Sequence, residues 1–265
     1  MGTDQYGLAD GDYVPDPERE LAALIDGLFD HIAETARSNR LPGDLVPAMR
    51  ARHAELEAAN DHLAVDEPSR HNLRLTLAVV AAYELLLPRL GRDTATDAVR
   101  AALVEPFGDT VHESTRAMLD AAPDPFAAMV AVSKSREEHA FGRTFTFRRV
   151  ADDDRRYLLD VHRCFYHDVL TANSAQELTP VLCAFDANWI EAIDPDKDGF
   201  RFDRVTTIGL GGTHCPFHFT RTGPDRTAIR RRLSRAPIRT GAAVPPVVPA
   251  RSRVSLRAGP RRGSR

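Results

Sequence analysis

The sequence predicts an α+β fold: a helical N-terminal half packed on a small antiparallel sheet with one or two further helices. Three observations predict it. Apolar residues recur at spacings of three and four up to about residue 140. From Gly142 onward the period drops to two. The alternating segments are short and separated by turns rich in Asp and Gly.

Residues 1–16 are rich in Gly and Asp without periodicity and read as a flexible arm. Residues 17–220 read as one domain, with a helical part over 17–140 and a cysteine-containing α/β part over 141–220. The first helix starts at Pro17, with Asp16 as its N-cap, and its buried face holds Leu21, Leu24, Ile25, Leu28, Phe29 and Ile32. Leu41-Pro42-Gly43 closes it. A second helix is expected over 45–60 and a third, more apolar, over 69–87, with Pro88 ending it. Shorter helices follow over 94–103, 111–121 and 125–139, punctuated by Pro106, Gly108 and Pro123.

FGRTFTFRRV then alternates Phe145 and Phe147 with Thr and Arg, as a half-buried strand does, and the turn Asp152-Asp153-Asp154 leads into RRYLLDVH as its hairpin partner. A helix is expected to start at Cys164 and another to run over 175–193, placing Cys183 and Asp186 one turn apart on one face. Two strands return to the sheet, one around Phe200 and Phe202, the other in THCPFHF. Residues 221–265 hold thirteen Arg, no Lys and the single acid Asp225, and read as a disordered Arg/Pro-rich tail.

The length of 265 residues with 43% hydrophobic and 28% charged residues suits a globular chain. No apolar run reaches the 18 or so residues of a spanning helix, and the N-terminus lacks a secretory pattern, so a cytoplasmic protein without membrane contact is expected. Outside the tail the chain is acidic, which leaves nucleic-acid binding to the tail alone. The oligomeric state is open. Three cysteines do not suggest a disulfide framework and leave catalysis, metal binding or burial.

All three cysteines, the single Trp and four of the ten His lie within residues 157–221. A thiolate is a strong nucleophile where a base, a cation or a helix N-terminus favours it. Cys164 has His162, Arg163 and His167 nearby, Cys183 has Asp186, and Cys215 follows His214. A second reading makes Cys164, Cys183, Cys215 and either His214 or Asp186 ligands of one zinc, in an enzyme or in a non-enzymatic small-molecule or zinc-binding module; the wide spacing is unlike that of structural zinc sites. Plain burial is the third reading. His167 and His218 are binding candidates by location, and Trp189 and Tyr166 suit a pocket wall. Asp194, Asp196 and Asp198 lack the glycine and glutamate of a calcium loop and read as a solvated turn.

The motifs CFYHD at 164–168, ELTPVLCAFD at 177–186 and TTIGLGGTHCPFHF at 206–219 together resemble the L-2-amino-thiazoline-4-carboxylic acid hydrolase family. The resemblance covers about residues 141–219. It implies a small-molecule hydrolase that opens a thiazoline ring, giving N-carbamoyl-cysteine from 2-aminothiazoline-4-carboxylate, or acts on a related cyclic C–N or C–S bond in amino-acid or specialised metabolism. With that chemistry in view, Cys183 or Cys215 is the expected nucleophile and Cys164 a further catalytic candidate. Asp186 and His214 are the expected proton carriers. Arg204 is the expected partner of the carboxylate, with His167, Trp189 and His218 in substrate binding. No cofactor is assigned by these motifs, and zinc is the one considered.

Overall fold

Four helices begin where an aspartate side chain accepts from the free N–H groups of the first turn. The computed structural model describes residues 15–223, and apart from their inner edges the N-terminal arm and the Arg-rich tail expected from the sequence lie outside the described residues. In α1 (Pro17–Ser38), Asp16 accepts from the Arg19 N–H at 3.1 Å, and Leu24, Ile25, Leu28, Phe29 and Ile32 form the buried face. Helix α2 (Leu45–Asn60) leads to α3 (Glu67–Leu90), which opens on a reciprocal capping pair between Asp66 and Ser69. Helix α3 is buried almost all round from Leu75 to Tyr83. It is the central helix.

Two expected helix ends are absent. Helix α3 runs through Pro88 to Leu90 and stops at Gly91, whose φ of 76° suits only glycine. Helix α4 (Arg92–Ala121) is a single element of 30 residues with Pro106 inside it, where two separate helices were expected. Burial outweighs the proline: Val99, Ala102 and Leu103 before it and Thr115, Met118 and Leu119 after it are all buried, and together they exceed its cost of about 3 kcal/mol. Gly27 of α1 permits close packing there, since a Cβ would lie 2.5 Å from the Phe107 ring. Helix α5 (Pro125–His139) is capped by Asp124.

The chain then turns at Gly142, with φ of 72°, and the Arg143 N–H donates to Asp66 Oδ2 at 2.7 Å. One carboxylate thus starts α3 and launches the sheet. Strands β1 (Thr146–Asp152) and β2 (Arg156–Arg163) form the expected hairpin, its turn held by Asp153 Oδ1 accepting from the N–H groups of Arg155 and Arg156. With β3 (Phe200–Asp203) and β4 (Cys215–Arg221) they make an antiparallel sheet in the order β1-β2-β4-β3. This is the α+β arrangement read from the sequence.

Helix α6 (Phe165–Ala172) follows β2 directly. The helix expected over 175–193 is broken: a single turn at Gln176–Leu178 precedes α7 (Thr179–Ala184), and α8 (Ala187–Ile190) follows a turn at Phe185 and Asp186. Asp186 therefore sits at a corner. Asn188 Nδ2 donates to Val104 O at 3.1 Å, tying that corner to α4. The short α9 (Pro195–Asp198) ends on Asp198, whose side chain is 1% exposed and pairs with Arg116 of α4. The acidic turn is thus a buried anchor in part, and not the solvated turn that the charge pattern predicts.

Candidate active site

A cavity of about 280 Å³ lies between the inner face of the sheet and helices α1, α4, α5 and α7. Three free thiols reach it from separate elements: Cys164 at the junction of β2 and α6, Cys183 in the last turn of α7, and Cys215 at the first position of β4. The chain between Arg204 and His214 closes the site from one side. Gly209 allows it to lie against α7, because a Cβ there would stand 2.9 Å from Thr179 Cγ2 and 3.0 Å from the Pro180 nitrogen. Gly212 has equally little room, a Cβ standing 2.5 Å from Thr206 Oγ1. The GLGG run is a packing device.

That loop carries the groups that face the thiols. The Ile208 N–H donates to Cys215 Sγ at 3.1 Å. Thr207, only 3% exposed, makes no formed hydrogen bond through its hydroxyl, which lies close enough to Cys183 to favour the thiolate. Arg204 Nη1 pairs with Asp186 Oδ2, Arg204 Nη2 donates to Cys183 O at 3.2 Å, and Trp189 Nε1 donates to Asp186 Oδ1 at 3.1 Å. The guanidinium also stands over the Phe217 ring, 5.3 Å from its centroid. Asp186 is held from two sides.

Burial decides the state of the sulfurs. It pushes the Cys164 thiol up to about 12, helped by the neighbouring Cys183 and Cys215, although the His167 and Tyr166 N–H groups at the start of α6 act the other way. Cys183 is pushed up to about 11, again by burial first, against the Thr207 hydroxyl. Cys215 is also raised by burial, with the Ile208 N–H and Arg204 opposing. All three are thiols at neutral pH. The helix that starts just after Cys164 does not produce the thiolate that its sequence neighbourhood suggested.

Elsewhere on the wall, Glu137 is raised by burial and accepts from the Tyr157 hydroxyl and from Arg149 Nε at 3.1 Å. Tyr166 donates to Asn72 Oδ1 at 2.8 Å, and Asn72 donates to Ala140 O. Burial also raises the Tyr166 hydroxyl. Sequence reading passed over Glu137 because it sits in a charged helix end that looks solvated, and it took in Thr207 only as part of the 206–219 motif, without a role, because one hydroxyl in a threonine pair carries no pattern of its own.

Of the residues singled out from the sequence, Cys164, Cys183, Cys215, Asp186, Arg204 and Trp189 line the cavity. Three histidines do not. His214 and His218 lie on the outer face of the sheet, where His218 Nε2 is 2.8 Å and His214 Nε2 3.8 Å from Asp160 Oδ1, and His214 stacks on His162 with ring centroids 5.5 Å apart. The expected proton role of His214 and binding role of His218 thus have no geometric basis at the thiols. His167 Nδ1 lies 2.9 Å from Thr179 Oγ1, whose single proton goes to Gln176 O, so the imidazole donates and serves to pin α6 to α7.

The expected zinc set fits poorly. It needs His214 or Asp186 beside three sulfurs, but His214 is across the sheet and Asp186 is engaged by Arg204 and Trp189. Among the described residues no three His, Cys, Asp or Glu side chains are grouped to hold a metal ion. Among the same residues no helix is long and apolar enough to cross a membrane.

No curated protein and no solved structure matches the chain. A family model does match, over residues 71–219, which runs from α3 through the last cysteine to β4 and includes every cavity residue expected from the sequence. On that match the chain belongs to the L-2-amino-thiazoline-4-carboxylic acid hydrolase family.

Proposed function

We propose that the protein hydrolyses a five-membered cyclic isothiourea or thioimidate that carries a carboxylate, of which 2-aminothiazoline-4-carboxylate is the family's namesake. The observation that carries this reading is the meeting of three thiols and the Asp186–Arg204 pair on one cavity. Opening such a ring needs a nucleophile for the carbon between nitrogen and sulfur, a proton for the departing sulfur, and a cation for the carboxylate.

Cys215 is the nucleophile in this scheme, because the Ile208 N–H and the Arg204 charge both favour negative charge on its sulfur. Its proton passes to the ring nitrogen as the sulfur adds to the ring carbon. The bond from that carbon to the ring sulfur then breaks, and the protonated Cys183 supplies the proton that the leaving thiolate takes up. Burial, which keeps Cys183 a thiol, suits it to that task. Water next attacks the enzyme-bound carbon, Asp186 passes one of the water protons to the Cys183 thiolate, and Cys215 departs and takes up the other as a thiol, leaving a ureido or amide group on a free cysteine-type product. Arg204 commits two of its five N–H donors to Asp186 and Cys183 O, and the others are left for the substrate carboxylate.

The test is incubation of the full chain with 2-aminothiazoline-4-carboxylate and with thiazoline-4-carboxylates substituted at the reacting carbon, following release of a free thiol by a chromogenic disulfide and of the ring-opened product by mass. Ring opening that disappears in Cys215→Ser is expected. Absence of ring opening across the whole series overturns the reading.

A further inference from the structure

The cavity reaches well past the thiols, and much of its further wall is apolar, with Glu137 and the Arg136–Glu20 pair at its border. Met118 of α4 and Met129 of α5 line it and belong to a hydrophobic cluster that contains none of the cysteines. Leu21 and Leu24 of α1, Val111 of α4 and Val132 of α5 continue the wall. Leu21 and Leu24 precede residue 71, so this part of the wall is built by a helix outside the matched family segment. A small, charged ring compound uses the Asp186–Arg204 end and gains nothing from such walls. Apolar walls with a few polar groups at one end are the pattern of a site that binds an apolar body and orients it by a polar head.

Resting on the hydrolase reading above, we infer that the substrate bears a bulky apolar group, alkyl or aryl, on the carbon that the thiol attacks, so that the enzyme opens 2-alkyl- or 2-aryl-thiazoline-4-carboxylates. The position follows from the layout. The reacting carbon must sit at the thiols, and a group attached to it is the part of the substrate that continues into the space bounded by α1, α4 and α5. The reaction balances without any further reagent: one water adds, the carbon–sulfur bond breaks, the carbon becomes an amide carbonyl on the ring nitrogen, and the sulfur leaves as a thiol. The product is an N-acyl-cysteine. Glu137 and the Arg136–Glu20 pair border the same space, so the apolar group is expected to end short of them.

Binding and turnover separate the two ideas. The stable aromatic probes 2-methylthiazole-4-carboxylate and 2-phenylthiazole-4-carboxylate are titrated against the full chain by calorimetry, and the corresponding thiazolines are assayed for ring opening. The phenyl probe is expected to bind at least about tenfold tighter than the methyl probe, and the phenyl thiazoline to be opened with the higher kcat/KM. Leu21→Trp and Val132→Trp add volume at half-buried wall positions and are each expected to reduce the phenyl-to-methyl affinity ratio about tenfold. Equal or weaker binding of the phenyl probe to the wild-type protein overturns the inference and leaves the apolar walls with water exclusion as their role. Tight phenyl binding without ring opening of any thiazoline supports the apolar-group site but overturns the hydrolase reading, and with it the ring opening inferred here.

Discussion

On one face of the sheet, Leu159, Val161, Cys215, Phe217 and Phe219 meet the helices and line the cavity; on the other, Asp160, His162, His214 and His218 meet one another. The two sets interleave in sequence. A strand sends successive side chains to opposite faces, so Cys215 and Phe217 are divided from His218 by the sheet itself, and His214, just before β4, joins His218 at Asp160. Register then groups each set: Val161 pairs with Cys215 and Leu159 with Phe217, which lines up the cavity face across β2 and β4. His214 and Cys215, next to each other in sequence, meet different groups in the fold, Asp160 and the cavity. In the proposed chemistry the thiols exchange protons with groups on the cavity side.

The largest effect that can break this division is on turnover. Cys215→Ser is expected to lower kcat/KM by at least about 10³-fold, the scale on which loss of a nucleophile acts, while binding of a thiazole-4-carboxylate changes little. His214→Ala is expected to stay within about threefold of wild type, the scale of a surface substitution remote from the chemistry. A loss in His214→Ala comparable to that in Cys215→Ser, measured by initial rates on the same substrate, breaks the division.

Next in size is the loop that presents Arg204 and Thr207 to the thiols. Gly209→Ala forces a Cβ against the backbone of Thr179 and Pro180 and is expected to cost about 1–3 kcal/mol of stability. Gly43→Ala, whose Cβ meets nothing within 4 Å, serves as the control and is expected to cost less than about 0.5 kcal/mol. Urea midpoints for the two variants measure the difference. Equal midpoints mean that the loop yields without strain.

The thiols also give the cavity face a pH signature. Below pH 9 they are neutral whether the chain is folded or unfolded. Above it the unfolded chain ionises first, because Cys183 and Cys164 are held at about 11 and about 12 in the folded state against an ordinary value of 9.0. Stability from these groups is therefore intact below pH 9 and lost progressively as pH rises through 11 and 12. Cys164→Ala is expected to flatten that decline in thermal melts taken across the range, and an unchanged slope counts against the burial argument. Alkylation by iodoacetamide is likewise expected to be slow at pH 7 and to accelerate with pH.

The smallest effect belongs to the outer face. Asp160→Asn removes the charge beside His214 and His218, both about one-third exposed, and is expected to change stability by no more than about 1 kcal/mol and turnover not at all. A large drop in activity assigns the outer face a part in the chemistry.

Much of the fold was legible because it is local. Asp16 with Pro17, the apolar spacing of α1 and the alternation of Phe145 and Phe147 report caps and periods that neighbouring residues decide. The failures have a common cause. Pro106 does not break α4, because Leu103, Met118 and their neighbours are buried against elements distant in sequence. The expected 175–193 helix is broken at a corner where Asp186 answers to Arg204 and Trp189, and Asn188 to Val104. Asp198 looked solvated and is buried against Arg116, which comes from a different helix.

By itself the sequence determined the fold class, the family and the cysteine set, since these rest on periodicity, capping and motif order, which are properties of short stretches. Only the tertiary structure decided which face each side chain takes and how far it is buried. Strand pairing put His218 outside and Cys215 inside, and burial among distant helices keeps the three sulfurs as thiols although their sequence neighbours suggested thiolates. The physical reason is that desolvation and register are sums over residues far apart in the chain, and no short stretch contains them.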